Sequence, residues 1–156
     1  MKPIFKPQTE WLPPESFPNL SKYDEIAIDL ETKDPGLKST GSGSVVGNGN
    51  VVGVAVAVEG WSGYYPIAHE GGGNMDKSMV IKWFTDVLKT PAIKIFHNAM
   101  YDVCWIRSMG LKIEGTIVDT MIAGSLVDEN RFRYDLGSLG RDYVGIGKNE
   151  AVLKET

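Results

Sequence analysis

Cysteine is almost missing from this chain. Cys104 is the single one in 156 residues, which excludes an internal disulfide and a cysteine zinc cluster and suits a reducing compartment. Histidine is nearly as scarce: His69 and His97 have no third ligand in sight, so structural or substrate-contacting roles are expected before zinc. No basic-then-apolar stretch opens the chain, and no apolar run is long enough to span a bilayer. A cytoplasmic location without a membrane partner is the expectation. An excess of basic charge is also lacking. A net charge of −4 argues against coating duplex DNA by neutralising many phosphates, but not against gripping a few nucleotides at a strand end. No internal repeat is found, and the length fits one compact domain.

What is present begins with proline. Pro3, Pro7, Pro13, Pro14 and Pro18 forbid helix over residues 1–22 and favour an extended arm lying on a domain surface. Residues 24–31 read as a strand. Asp34–Asn50, rich in Gly, Ser and Asn, reads as a mobile hairpin tip with a turn at Pro35-Gly36. Its glycines Gly41, Gly43 and Gly47 have the wrong spacing for a dinucleotide loop, and the β-branched run Val51–Val58 that follows is strand where a phosphate loop needs helix. A third strand over Gly63–Ala68 completes a meander. Asp76 caps a helix to about Leu88, with Val80, Trp83, Phe84 and Val87 at amphipathic spacing. Ala92–Phe96 is a short strand, and a second helix starts near Asn98. Gly115–Val118 is another strand, Asp119 caps a helix to about Val127, and Asp135–Tyr143 is a last short helix ending at Gly145. Three antiparallel strands, then parallel strands with crossover helices, give an α/β domain on a mixed sheet.

Two stretches carry chemistry. In Glu25–Thr32 (E-I-A-I-D-L-E-T) an apolar run ends in Asp29 and Glu31. On a strand these two share a face, with Leu30 on the other, in the packing. Like charges at that spacing repel, and a hard divalent ion such as Mg2+ removes the penalty. Two ordinary acids on a strand that ends in solvent is the plain alternative. The second stretch is Ile95–Ile106, I-F-H-N-A-M-Y-D-V-C-W-I. Asp102 falls in a first helical turn, where the helix dipole favours negative charge. Asn98 shares its face if the helix starts early enough. The plain alternative makes Asn98 the N-cap and Asp102 a first-turn acid, with Tyr101, Val103, Cys104 and Trp105 packing on the sheet.

Together, in this order, I-D-L-E-T and the N-x-x-Y-D pattern of H-N-A-M-Y-D resemble the first and second motifs of the DEDD-type 3′–5′ exonucleases, which share a ribonuclease H-like fold. I-V-D-T-M-I-A-G-S-L, Tyr134-Asp135-Leu136 with Leu139, and G-I-G-K-N-E add a resemblance to the proofreading domain of family A DNA polymerases, particularly those of bacteriophages. The resemblance covers residues from about 22 to the last. It implies that Asp29 and Glu31 hold a pair of Mg2+ or Mn2+ ions and that Asp102 serves the outer ion, usually through water. Asn98 then lies near the scissile phosphate, and Thr32 beside the terminal nucleotide. The implied substrate is the 3′ end of single-stranded or frayed DNA, in a bacterial cytoplasm or the cytoplasm of a phage host.

The family's third motif, Y-x-x-x-D or H-x-x-x-D, has no match. Four residues after Tyr101, Tyr134 and Tyr143 stand Trp105, Ser138 and Gly147, and after His69 and His97 stand Gly73 and Tyr101. The expected layout is therefore an arm over 1–22 and an exonuclease-like domain over 23–156 without its last helix. Three readings follow: an exonuclease completed by a downstream segment or a polymerase partner chain; a module of the same fold that binds single strands without cutting, with Arg131, Arg133, Arg141 and Lys148 on phosphates; and an unrelated α/β domain. Asp142, in the last helix, has nothing beyond its place there to recommend it as a substitute ligand.

Overall fold

A computed structural model describes residues 11–146. The expectations for residues 1–10, for Lys148 and for the end of G-I-G-K-N-E lie outside them.

The alternation of Ile26, Ile28 and Leu30 with Ala27, Asp29 and Glu31 makes Glu25–Lys33 a two-faced strand, β1, whose first set is buried. It runs two residues farther than the sequence implies. Asn50–Val58 forms β2 and Trp61–Pro66 forms β3, turned at Gly60 with φ of 78°. Ile93–Phe96 is β4 and Ile117–Asp119 is β5. The sheet order is β3-β2-β1-β4-β5, with β1–β2 and β2–β3 antiparallel and β1–β4 and β4–β5 parallel. The mixed sheet is the predicted one.

Helix α2, Lys77–Lys89, is capped by Asp76, whose carboxylate accepts from the Met79 amide at 2.9 Å. Its buried stripe of Val80, Trp83, Phe84, Val87 and Leu88 covers one sheet face, against Ile26, Ile28, Leu30, Val54, Val56 and Tyr65. Residues 11–22 form no regular element, yet Leu20 is buried in this core. Tyr65 donates to the Ser16 carbonyl and Trp83 to the Pro18 carbonyl, each at 2.8 Å. Lys94 is fully buried in β4, and its ammonium donates to the carbonyls of Thr90, Ala92 and Glu114, tying the end of α2 to the approach of β5. Among the described residues no helix is long and apolar enough to cross a membrane.

Three expectations are corrected. The stretch 34–50 contains a helical turn, α1 (Gly43–Val46), closed by Gly47 at φ 78°. Asp34 organises it, because its two carboxylate oxygens accept from the Gly43 amide at 3.1 Å each. A Cβ at Gly43 would lie 1.7 Å from the Asn48 carbonyl oxygen, so glycine there is a packing requirement. The last helix divides into α5, Leu136–Leu139, and a π-helical turn over Gly140–Val144 before Gly145. On α3, Ala99–Ser108, the expected Tyr101, Val103 and Trp105 do pack against the core, and the correction is Asp102, which joins Ala99, Trp105 and Ile106 among its buried residues. The i, i+3, i+7 spacing of the observed set is that of one helical face.

Candidate active site

Parallel pairing of β1 with β4 ends at Ala27↔Ile95, while β1 continues for six more residues against β2. Beyond that point the chain leaves β4 through His97 and Asn98 and enters α3. The last turns of β1 therefore face a helix start instead of a strand. Asp102 fills this junction. It lies on the packing side of α3, 3 % exposed, and its carboxylate accepts from the main-chain N–H of Leu30, the residue between Asp29 and Glu31.

Three acids are thus gathered around one end of β1. Burial and the nearby Asp29 push the Asp102 carboxyl up to about 7; Glu31 and Asp119 add to the rise and the Leu30 amide opposes it. Asp29 and Glu31 are exposed, on the face opposite the core. Among the described residues, no three His, Cys, Asp or Glu groups close around one point to hold a metal ion. The donor chemistry nonetheless fits a hard divalent cation. All three acids offer carboxylate oxygens, and their mutual repulsion is what such an ion relieves.

Thr32 follows a shift in register between Glu31 and its own position, an irregularity that re-aims side chains. Its hydroxyl lies 2.8 Å from the Tyr101 hydroxyl. Tyr101 in turn donates to Asp34 at 2.9 Å, so α3, the end of β1 and α1 meet at one phenol. Asn98 occupies the N-cap position of α3 in the left-handed conformation, φ 63° and ψ 56°, and makes no side-chain cap. Asn98 is thus the N-cap, as the plain alternative has it, though its own side chain makes no cap bond; the early helix start that would put it on the face of Asp102 is not observed. Its side chain stays exposed beside the site.

The capping falls to Asp119, at the end of β5. Its carboxylate accepts from the amides of Asn98 at 3.0 Å, Ala99 at 2.8 Å and Met121 at 2.9 Å, serving α3 and α4 (Thr120–Val127) together. Burial acts to raise its pKa, but these bonds and one from Ile122 hold the carboxyl below the usual range. The sequence assigned Asp119 to α4 alone, and a partner 21 residues away leaves no local signal. His97 is also tied in, with Nδ1 2.9 Å from the Thr120 hydroxyl.

Asp29 borders a cavity of about 520 Å³ on its own face of the sheet, lined among the described residues by Ala27, Ala55, Ala57, Ile95, Trp11 and Leu136. The arginines Arg131, Arg133 and Arg141 gather around a separate hollow with Asp142. Arg131 is engaged there by Asp142 at 2.5 Å.

A family model of the 3′–5′ exonuclease domain of family A DNA polymerases matches residues 6–154. The chain belongs to that family. This exonuclease domain is 30 % identical over 153 residues to a DNA-directed DNA polymerase of Pseudomonas phage M6, covering 94 % of this chain and 23 % of that protein. It is 28 % identical to the DNA polymerase DpoZ of Salmonella phage PMBT28, covering 89 % of this chain and 20 % of that protein. The chain thus spans about a fifth to a quarter of the length of the phage polymerases it matches. Two solved structures share the fold. Brucella melitensis NrnC with bound Mg2+ superposes with a TM-score of 0.58 at 18 % identity, covering 83 % of this chain and 57 % of that one. Escherichia coli RNase D gives a TM-score of 0.58 at 14 % identity, with 84 % and 30 % covered. The ribonuclease H-like α/β layout expected from the motifs is the one observed.

Proposed function

We propose that this exonuclease domain hydrolyses the 3′-terminal phosphodiester of single-stranded or frayed DNA with Mg2+ or Mn2+, as the proofreading part of a phage DNA polymerase acting in the host cytoplasm. The observation that carries the reading is the burial of Asp102 against the Leu30 amide, within the field of Asp29 and Glu31. A fold gains nothing from three carboxylates in one place unless a cation comes to them. Asp29, Glu31 and Asp102 would hold the ions. Bound as a pair, such ions supply an activated water and charge stabilisation at the departing 3′ oxygen.

The chain's own residues do the rest. Asn98, held in a strained backbone conformation by the Asp119 bond to its amide, presents its side chain where the scissile phosphate would lie. Thr32, its hydroxyl fixed by Tyr101, stands beside the terminal nucleotide. Frayed ends are favoured because unpairing has already occurred.

A fourth carboxylate would come from a downstream segment or a polymerase partner chain. Support comes from the greater length of the phage polymerases and from the cavity beside Asp29, where, among the described residues, Ala27, Ala55 and Ala57 leave room for another element. The alternative is a module that binds strands without cutting, favoured by the open arrangement of the acids among the described residues. The chain is compared, alone and joined to the downstream segment of its gene, on 3′-labelled single-stranded DNA with Mg2+ or Mn2+. Cleavage that appears or rises strongly on joining supports the proposal. Retained binding with no cleavage in either form establishes the alternative.

A further inference from the structure

Tyr64 lies on β3 in the row Asp29↔Ala55↔Tyr64, so its side chain rises from the same sheet face as Asp29 and Glu31. The next row is Glu31↔Gly53↔Pro66. The ring of Tyr64 leans diagonally across Gly53 toward that row. A Cβ on Gly53 would come within 1.9 Å of the Tyr64 hydroxyl oxygen and 2.3 Å of Cζ. Glycine at this position, the direct cross-strand partner of Glu31, is what lets the hydroxyl reach the acidic end of the strand.

The ring is held on several sides. Its hydroxyl lies 2.5 Å from His69 Nε2, and Trp11 packs on it with centroids 5.7 Å apart. His69 is itself fixed. Its main-chain N–H and carbonyl both bond the Asn74 side-chain amide, at 2.7 and 2.8 Å, and the adjacent Glu70 pairs with Lys33 at the end of β1. A hydroxyl has one proton and two lone pairs. In the Nε2–H tautomer of His69 the ring donates to this oxygen, and the phenolic proton is then directed away from His69, toward the acids.

We infer that Tyr64, oriented by His69 and admitted by Gly53, is a positioning residue for the metal-binding carboxylate of Glu31, to which its hydroxyl would donate when the ion is bound. This rests on the metal-dependent reading proposed above. Outer-shell partners of this kind fix which oxygen of a carboxylate faces the ion, and their loss typically weakens metal binding by about 10- to 100-fold.

The test is Mn2+ binding by the full chain, followed by electron paramagnetic resonance, with thermal unfolding recorded for every variant. Tyr64→Phe keeps the ring and its packing, so unfolding is expected to stay close to the parent while Mn2+ affinity falls about tenfold. His69→Leu should give the same loss, and His69→Gln, whose amide N–H can still donate, should recover most of it. Gly53→Ala, which forces the ring aside, should weaken binding in the parent and add little in the Tyr64→Phe background. Parent-like affinity in Tyr64→Phe, alongside lost affinity in Asp29→Ala, overturns the role of Tyr64 and leaves the metal site standing. Parent-like affinity in Asp29→Ala as well removes the metal site, and this inference with it.

Discussion

The main-chain N–H of Leu30 donates to the carboxylate of Asp102, so the residue between two exposed acids anchors a third, buried one. The contact exists because β4 stops pairing at Ile95 while β1 runs on to Lys33, leaving that edge of β1 to the start of α3. Backbone geometry, rather than any attraction among the acids, brings the three together.

Asp102 should make the metal-free protein less stable as pH rises. Its folded pKa, about 7, lies above the ordinary aspartate value of 3.8. A native state that keeps a proton the unfolded state has lost is disfavoured progressively between those values, by on the order of 4 kcal/mol in total at 1.36 kcal/mol per unit. Asp102→Asn, which still accepts from Leu30, should therefore be more stable than the parent at pH 8 in a chelator. The advantage should shrink toward pH 4, and the variant should lack nuclease activity. Urea unfolding at a series of pH values measures this. An advantage that does not change with pH contradicts the assignment.

Asp119→Ala should cost about 2 kcal/mol or more, because one carboxylate caps two helices. The carboxyl is held below the usual range by its bonds, so its contribution is present above the ordinary aspartate pKa. It is lost as pH falls through the depressed folded value. Substitution also frees the Asn98 amide, so activity should fall beyond what the stability loss explains. Denaturation and single-turnover cleavage at a temperature where both proteins are folded separate the two effects.

Tyr101→Phe removes the bonds to Thr32 and Asp34 while preserving the ring's tilted contact with Trp105. A loss of roughly 1–2 kcal/mol is expected. Limited proteolysis should show faster cutting within residues 35–49, whose anchor is Asp34. An unchanged digestion pattern would show that the phenol does not organise this segment.

How far the sequence could be read depended on whether a feature was local. The alternation through Ile26–Glu31 fixes both the strand and the shared face of its acids. The V-V-G-V-A-V-A-V run excludes a phosphate loop, and the amphipathic stripe of α2 is plain in the chain. Asp102 was found through its motif, but its burial was not foreseen, because an acid on a packing face contradicts the usual hydrophobic pattern. Tyr101 packs against the core as expected, but its bonds to Thr32 and Asp34 leave no local signal, because those partners are 69 and 67 residues away. Asp34 likewise gave no hint of α1: a carboxylate nine residues before the amide it holds fits no local capping pattern. Tyr64 has no mark in the sequence for the same reason, and His69 reads only as a structural or substrate-contacting histidine, since only the sheet register shows that Tyr64 overhangs Gly53 opposite Glu31.

The central claim is that Asp29, Glu31 and Asp102 form a metal-dependent 3′–5′ exonuclease site. A 5′-labelled single strand is incubated with the chain joined to the remainder of a phage polymerase relative, and the products are resolved at single-nucleotide steps. The account predicts a ladder that shortens progressively from the 3′ end with Mg2+, disappears with a chelator, and is abolished by Asp29→Ala and by Asp102→Asn. A ladder of equal rate in either variant, or cleavage that persists in chelator, would contradict it.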